Sequence, residues 1–253
     1  EPRRGIRKFA HKIRNVRSGK LAKSIRRNAA RARGRPVAHF IHIRKAGGTA
    51  IKNALRPHAS DGPYYLDFHP HRITIDDIPE GEKIFFIIRD PLSRLVSGFL
   101  DRERMGAPAN NIPWTDAERE AFALFPTIDD LGAALADENA QTRAGALEAL
   151  RSIRHVNSSY WDWFRDERTL ERRAEDVLFI GHQERLADDF ARLRAALSLP
   201  EHVALPTDPS RSNRAGTPAS ETQLSPEAEA ALREYLAPEY RFIEMCETLL
   251  ADR

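Results

Sequence analysis

With 253 residues, 41% of them hydrophobic and 30% charged, the chain is long enough to bury a full core and too evenly composed for a disordered or fibrous segment. A single cysteine, Cys246, excludes a disulfide framework and a multi-cysteine zinc site, and no apolar run approaches the roughly 18 residues of a membrane span. The net charge of +3 hides an asymmetry: 14 of the 40 Lys+Arg but one of the 37 acids lie in residues 1–36, so that segment carries +13 and the remainder −10.

Residues 1–36 read as a polybasic N-terminal arm ending near Gly34-Arg35-Pro36. Ile6, Phe9, Ile13 and Val16 fall at helical spacing, with Arg7, Lys8, Lys12, Arg14 and Arg17 around them. Such a helix suits an anionic membrane surface or another polyanion. A solvated arm, or a helix packed on the acidic body, is the other reading. Nucleic acid is a poorer partner, because Phe9 is the arm's one aromatic and no reading motif accompanies it. Cysteine usage and the lack of a secretory pattern lead to a cytoplasmic expectation, peripheral at the membrane.

Past Pro36 the pattern alternates between strand and helix. Residues 37–43 read as an apolar strand, 49–55 as the start of a helix, and 64–68 as a weaker strand leading into His69-Pro70-His71. Residues 83–88 include five consecutive apolar side chains, the pattern of a strand buried on both faces of a parallel sheet. Asp90-Pro91 then starts a helix, Asp supplying a capping oxygen and Pro fitting the first helical position. Leu92, Leu95, Val96 and Phe99 give that helix its buried face. Residues 106–126 read as an irregular, proline-bearing excursion. Helices are predicted near 127–137 and 141–165, a third strand near 177–181, and a helix near 185–197. Residues 206–224 read as a loop, and Ser225-Pro226 opens two last helices near 226–236 and 238–250. The fold class is therefore α/β: a parallel sheet flanked by helices, with the ligand at the carboxyl ends of the strands. The domain boundary falls between the arm, 1–36, and a single domain over 37–253.

Two strand-to-helix turns carry the chemistry. In the first, Lys45, Gly47, Gly48 and Thr49 combine a cation, a hydroxyl and glycines that let an anion approach the backbone N–H groups at a helix start. The lysine precedes the glycines, so this is not the G-x-x-x-x-G-K-[ST] loop of ordinary ATPases and kinases. In the second, Arg89 ends a buried strand, where its planar fork suits phosphate, and Ser97 lies one helical turn beyond Ser93 on the same face.

Together, Ile43-Arg44-Lys45-Ala46-Gly47-Gly48-Thr49 and Ile88-Arg89-Asp90-Pro91-Leu92-Ser93-Arg94-Leu95-Val96-Ser97-Gly98-Phe99 resemble the sulfotransferases that use 3′-phosphoadenosine 5′-phosphosulfate (PAPS), above all their carbohydrate-type, family 2-like branch. Residues 177–184 look like that family's last strand and the turn after it. The resemblance implies a P-loop-like sulfotransferase fold over roughly 37–250, with PAPS as co-substrate and no metal. It places the 5′-phosphosulfate on the turn of Lys45, Ala46, Gly47, Gly48, Thr49 and Ala50, and the 3′-phosphate on Arg89 and Ser97. Arg44, Ala46 and Ala50 depart from the family pattern, the two alanines keeping the backbone cradle but losing hydroxyls. Asn213-Arg214-Ala215-Gly216 resembles a segment that closes over the 3′-phosphate, which adds Arg214.

Sulfuryl transfer, like phosphoryl transfer, rests on positioning and on cations at the leaving oxygen, for which Lys45 is the candidate. A base must take the acceptor proton, and histidine is poised for that near neutral pH. Glycan-sulfating relatives carry a similar His-x-His or lone His before the second segment, which points to His71 as base, with His69 as an orienting neighbour or the base itself. A metal on that pair lacks an evident third ligand. Asn157 to Trp163 place amide and aromatic groups where they either border an acceptor site or pack in the core. The resemblance implies a glycan or glycolipid acceptor. A kinase-like P-loop protein, or a catalytically silent PAPS-fold protein acting through its arm, are the rival readings.

Overall fold

A computed structural model describes residues 22–108, 110–208 and 223–251. The arm's apolar stripe and Arg214 lie outside the described residues.

Four parallel strands form the sheet: β1 (Val37–Phe40), β2 (Tyr65–Phe68), β3 (Lys83–Ile88) and β4 (Val177–His182), in the order β2-β1-β3-β4. The chain leaves β1 toward β2 and then crosses back to the other side of β1, so the topological switch lies between β1 and β3. That is where open α/β sheets hold their ligands.

The described helices are α1 (22–32), α2 (Gly48–Leu55), α3 (Pro91–Glu103), α4 (Asp116–Leu124), α5 (Ile128–Ala136), α6 (Ala140–Ser152), α7 (Trp161–Phe164), α8 (Glu167–Arg172), α9 (Leu186–Ala196), α10 (Pro226–Tyr235) and α11 (Ala237–Ala251). Ile84 to Ile88 are all buried, as a strand covered on both faces requires. On one face Phe40, Phe68, Phe85 and Phe179 pack under α2 and α9. On the other, Phe86, Ile88 and Ile180 meet Trp163, Phe164 and Phe242. A third core is helical, joining α3 to α4, α5, α6 and α10.

Two local expectations change, and one reading of the arm is settled for its last residues. The 106–126 stretch holds α4, whose start is a capping box: Thr115 accepts from the Glu118 N–H while Glu118 reaches back to Thr115. The predicted 141–165 helix is two, because the chain turns after Ser152 and Glu239 draws residues 159 and 160 against α11. Glu239 accepts from the Tyr160 N–H at 2.8 Å, from Ser159 Oγ, and from Arg94 at 2.8 Å. Within the arm, α1 packs on the sheet edge through Ala30, Val37 and Tyr65. Lys23 and Arg27 pair with Asp67, and Arg31 holds Glu82 through two hydrogen bonds of 2.6 Å.

Candidate active site

Both chemistry-bearing turns stand at the carboxyl ends of β1 and β3, which are adjacent. In the first, Lys45 has φ 61° and Gly47 φ 78°, two left-handed residues in three, and only the second is the glycine that tolerates this freely. Gly47 carries no side chain to cap α2, so the first N–H groups of the helix are left to meet an anion. A Cβ on Gly48 would run into the His42 ring. Ala46 and Ala50 turn their methyl groups into the core on opposite sides of the sheet and offer the site their backbone alone. Thr49 is half-buried in the first turn of α2.

The second turn is braced onto the first. Arg89 Nη1 donates to the Lys45 carbonyl at 3.2 Å, while its Nε is buried without a hydrogen-bond partner among the described residues. Tyr160 clamps the same residue's backbone, accepting from the Arg89 N–H at 2.9 Å and donating to its carbonyl at 2.6 Å. Burial pushes the Arg89 guanidinium down in proton affinity, with Glu184 opposing. Asp90 caps α3 by accepting from the Ser93 N–H at 2.7 Å, and its own N–H donates to Glu184 at 2.8 Å. The turn after β4 completes the rim, with the Gln183 N–H on the Ile88 carbonyl at 2.8 Å.

Lys45 points to α3. Its ammonium lies 3.1 Å from Asp101 Oδ1, and Asp101 Oδ2 accepts from His155 Nδ1 at 2.8 Å. Burial opposes ionisation of Asp101, but the His155 hydrogen bond and the Lys45 charge prevail and hold the carboxyl down at about 2. Ser93, Ser97 and Asp101 follow one another at steps of four on α3, so Ser97 shares the stripe that meets Lys45.

The two histidines of the 69–71 turn part company. His71 donates Nδ1–H to the His42 carbonyl at 2.7 Å, since a carbonyl can only accept, and this leaves Nε2 with a free lone pair. Its own carbonyl is held by Trp163 Nε1 at 2.6 Å, and its ring lies tilted against His42 at 3.8 Å between centroids. Burial lowers the His71 pKa, the His42 carbonyl opposing and Arg44, Lys52 and His155 adding to the fall. His42 is driven to about 2 by burial and by His71, so it is a neutral packing partner.

His69 instead turns inward, 2.8 Å from His39 Nδ1, whose Nε2 donates to Glu82 at 2.6 Å. His39, Asp67 and His69 bring ligand-type atoms within 4.8 Å of one another, a grouping that leaves out His71 and so differs from the His69–His71 pair of the sequence. Its carboxylates are already paired: Lys23 and Arg27 meet Asp67, and Arg31 meets Glu82. It is a docking network for α1.

Tyr160, Trp163 and Phe164 are buried, so the aromatic stretch belongs to the core. Asp101 and His155 are the candidate-site residues that sequence reasoning missed, while Tyr160 and Glu184 lie in stretches it singled out without giving them these contacts. Asp101 had a signal, its place four residues after Ser97.

A family model described as the Sulfotransferase family matches residues 31–243. No curated protein matches the chain.

Proposed function

The chain belongs to the sulfotransferase family, and from that premise we propose that it moves a sulfuryl group from PAPS to a hydroxyl of a glycan or glycolipid. When bound, PAPS supplies the sulfuryl group and the phosphate that leaves it. The observation that carries the donor assignment is Arg89: a half-buried guanidinium whose Nε has no hydrogen-bond partner among the described residues, braced against the Lys45 carbonyl of the glycine turn. A desolvated cation with unspent donors is costly unless an anion completes it.

The residues divide the work by position. The N–H groups at the start of α2 and Thr49 offer hydrogen bonds to the 5′-phosphosulfate, and Arg89 with Ser97 to the 3′-phosphate. Lys45 supplies positive charge where the leaving phosphate gains negative charge. As the acceptor oxygen bonds to sulfur, its proton passes to His71 Nε2, the nitrogen that the His42 carbonyl leaves unprotonated.

Calorimetry with adenosine 3′,5′-bisphosphate in the absence of Mg²⁺ tests the donor site. The expected result is tight binding that Arg89→Ala weakens by about 10- to 100-fold, the worth of a charge-assisted pair. Equal affinity for adenosine 5′-monophosphate would remove the 3′-phosphate assignment. Labelled PAPS offered to oligosaccharides, glycolipids and phenols tests the acceptor; label on phenols alone would overturn the glycan reading, and no label on any acceptor would favour a silent protein.

A further inference from the structure

Two serines on the α3 stripe suit an anion, but Asp101, the next residue on that stripe, repels one. The carboxylate is held by two partners from separate parts of the chain, Lys45 at 3.1 Å and His155 at 2.8 Å. His155 comes into place at some cost. Its φ of 71° lies in the left-handed region, which residues other than glycine seldom adopt. Its backbone also passes so close to α3 that a Cβ on Gly98 would sit 3.0 Å from its carbonyl group. Backbone strain and a close approach are both sustained at the point that delivers this imidazole to Asp101.

We propose that Asp101, backed by His155, is the positioning counter-ion of Lys45, holding the ammonium against the Ser97–Asp101 stripe of α3 and charged in a site crowded with other cations. The inference rests on the reading of Lys45 as the cation for the leaving phosphate. Lys45 is 17% exposed at its side chain, and burial lowers its proton affinity. Arg89, at the end of β3, and Arg104, after α3, push the same way, while Asp101 opposes all three. His155 occupies Oδ2 and leaves Oδ1 to the lysine. The carboxylate therefore keeps one partner when Lys45 turns to a phosphate. Asp101 touches neither reacting atom in this scheme and acts through Lys45.

The test titrates Lys45 directly in the full chain, by NMR of ¹³C-dimethylated lysines, with Lys45→Arg assigning the signal. In Asp101→Asn the Lys45 midpoint should fall by about one pH unit or more. The affinity for adenosine 3′,5′-bisphosphate should hold or tighten, because a negative charge has left the anion site. Turnover should drop about tenfold or more, and the alkaline limb of its pH profile should move with Lys45. His155→Gln should give a smaller shift of the same sign, and Asp101→Glu should restore part of the loss. His155→Gln also keeps the test readable if Asp101→Asn does not fold. An unmoved Lys45 midpoint, or nucleotide affinity falling in step with turnover, would overturn the proposal. The titration needs no acceptor: a shifted midpoint in a protein that transfers nothing upholds the counter-ion and sinks the transfer reading.

Discussion

At the residue scale the site depends on which nitrogen or oxygen is left unused. His71 spends Nδ1–H on the His42 carbonyl and keeps Nε2 for a proton. Burial lowers its pKa from 6.5, so the ring stays neutral, and competent as a base, to lower pH than a free histidine. The acid limb of turnover is therefore expected below pH 6.5. His71→Ala should cut turnover by about 10²- to 10⁴-fold while nucleotide affinity holds. A limb above that value, or an active variant, would move the base elsewhere, with His155 next in line because its Nδ1 is likewise committed. Sequence made Lys45, Arg89 and Ser97 visible because each is tied to a strand end or helix start by local spacing. Asp101 and His155 meet across 54 residues, a pairing that no local pattern encodes.

At the element scale the two strand-to-helix turns were legible, since a buried apolar strand, glycines and an Asp-Pro start announce themselves in order. What was not legible is how closely the turns pack on their neighbours. Gly48 opens α2, where alanine would ordinarily favour the helix by about 1 kcal/mol. Here the added Cβ meets the His42 ring, which is held between His71 and Lys52 and has little room to give. Gly48→Ala should therefore destabilise the protein by roughly 1–3 kcal/mol, the usual cost of overpacking. Because the displaced ring lies against His71, turnover should fall with it. Thermal unfolding beside a transfer assay checks both, and a stabilised, fully active variant would show that the turn gives way easily. The break in the predicted 141–165 helix has a similar origin, because Glu239 from α11 captures residues 159 and 160.

At the scale of the whole molecule, the opposition between a basic N-terminal segment and an acidic body is partly spent internally, where α1 docks on Asp67 and Glu82. The register of β1 on β2, which sets His39 opposite Asp67, places two imidazoles beneath that dock. Burial holds both rings neutral and lowers His69 to about 4. In the unfolded chain the same ring titrates near 6.5, so between pH 6.5 and about 4 the unfolded state binds the extra proton and stability falls as pH falls. For His69 alone the loss is on the order of 3 kcal/mol across that window. Asp67 adds a later loss: its pKa lies below 3.8 because Lys23, His69 and Arg27 outweigh its burial, so its contribution fades only as pH drops through that lower value. The melting temperature should therefore decline between about pH 6.5 and about pH 4.5, before the Asp67 contribution fades, and His69→Gln should flatten the decline because glutamine does not titrate there. An equal slope in the variant would move the acid sensitivity away from the α1 dock.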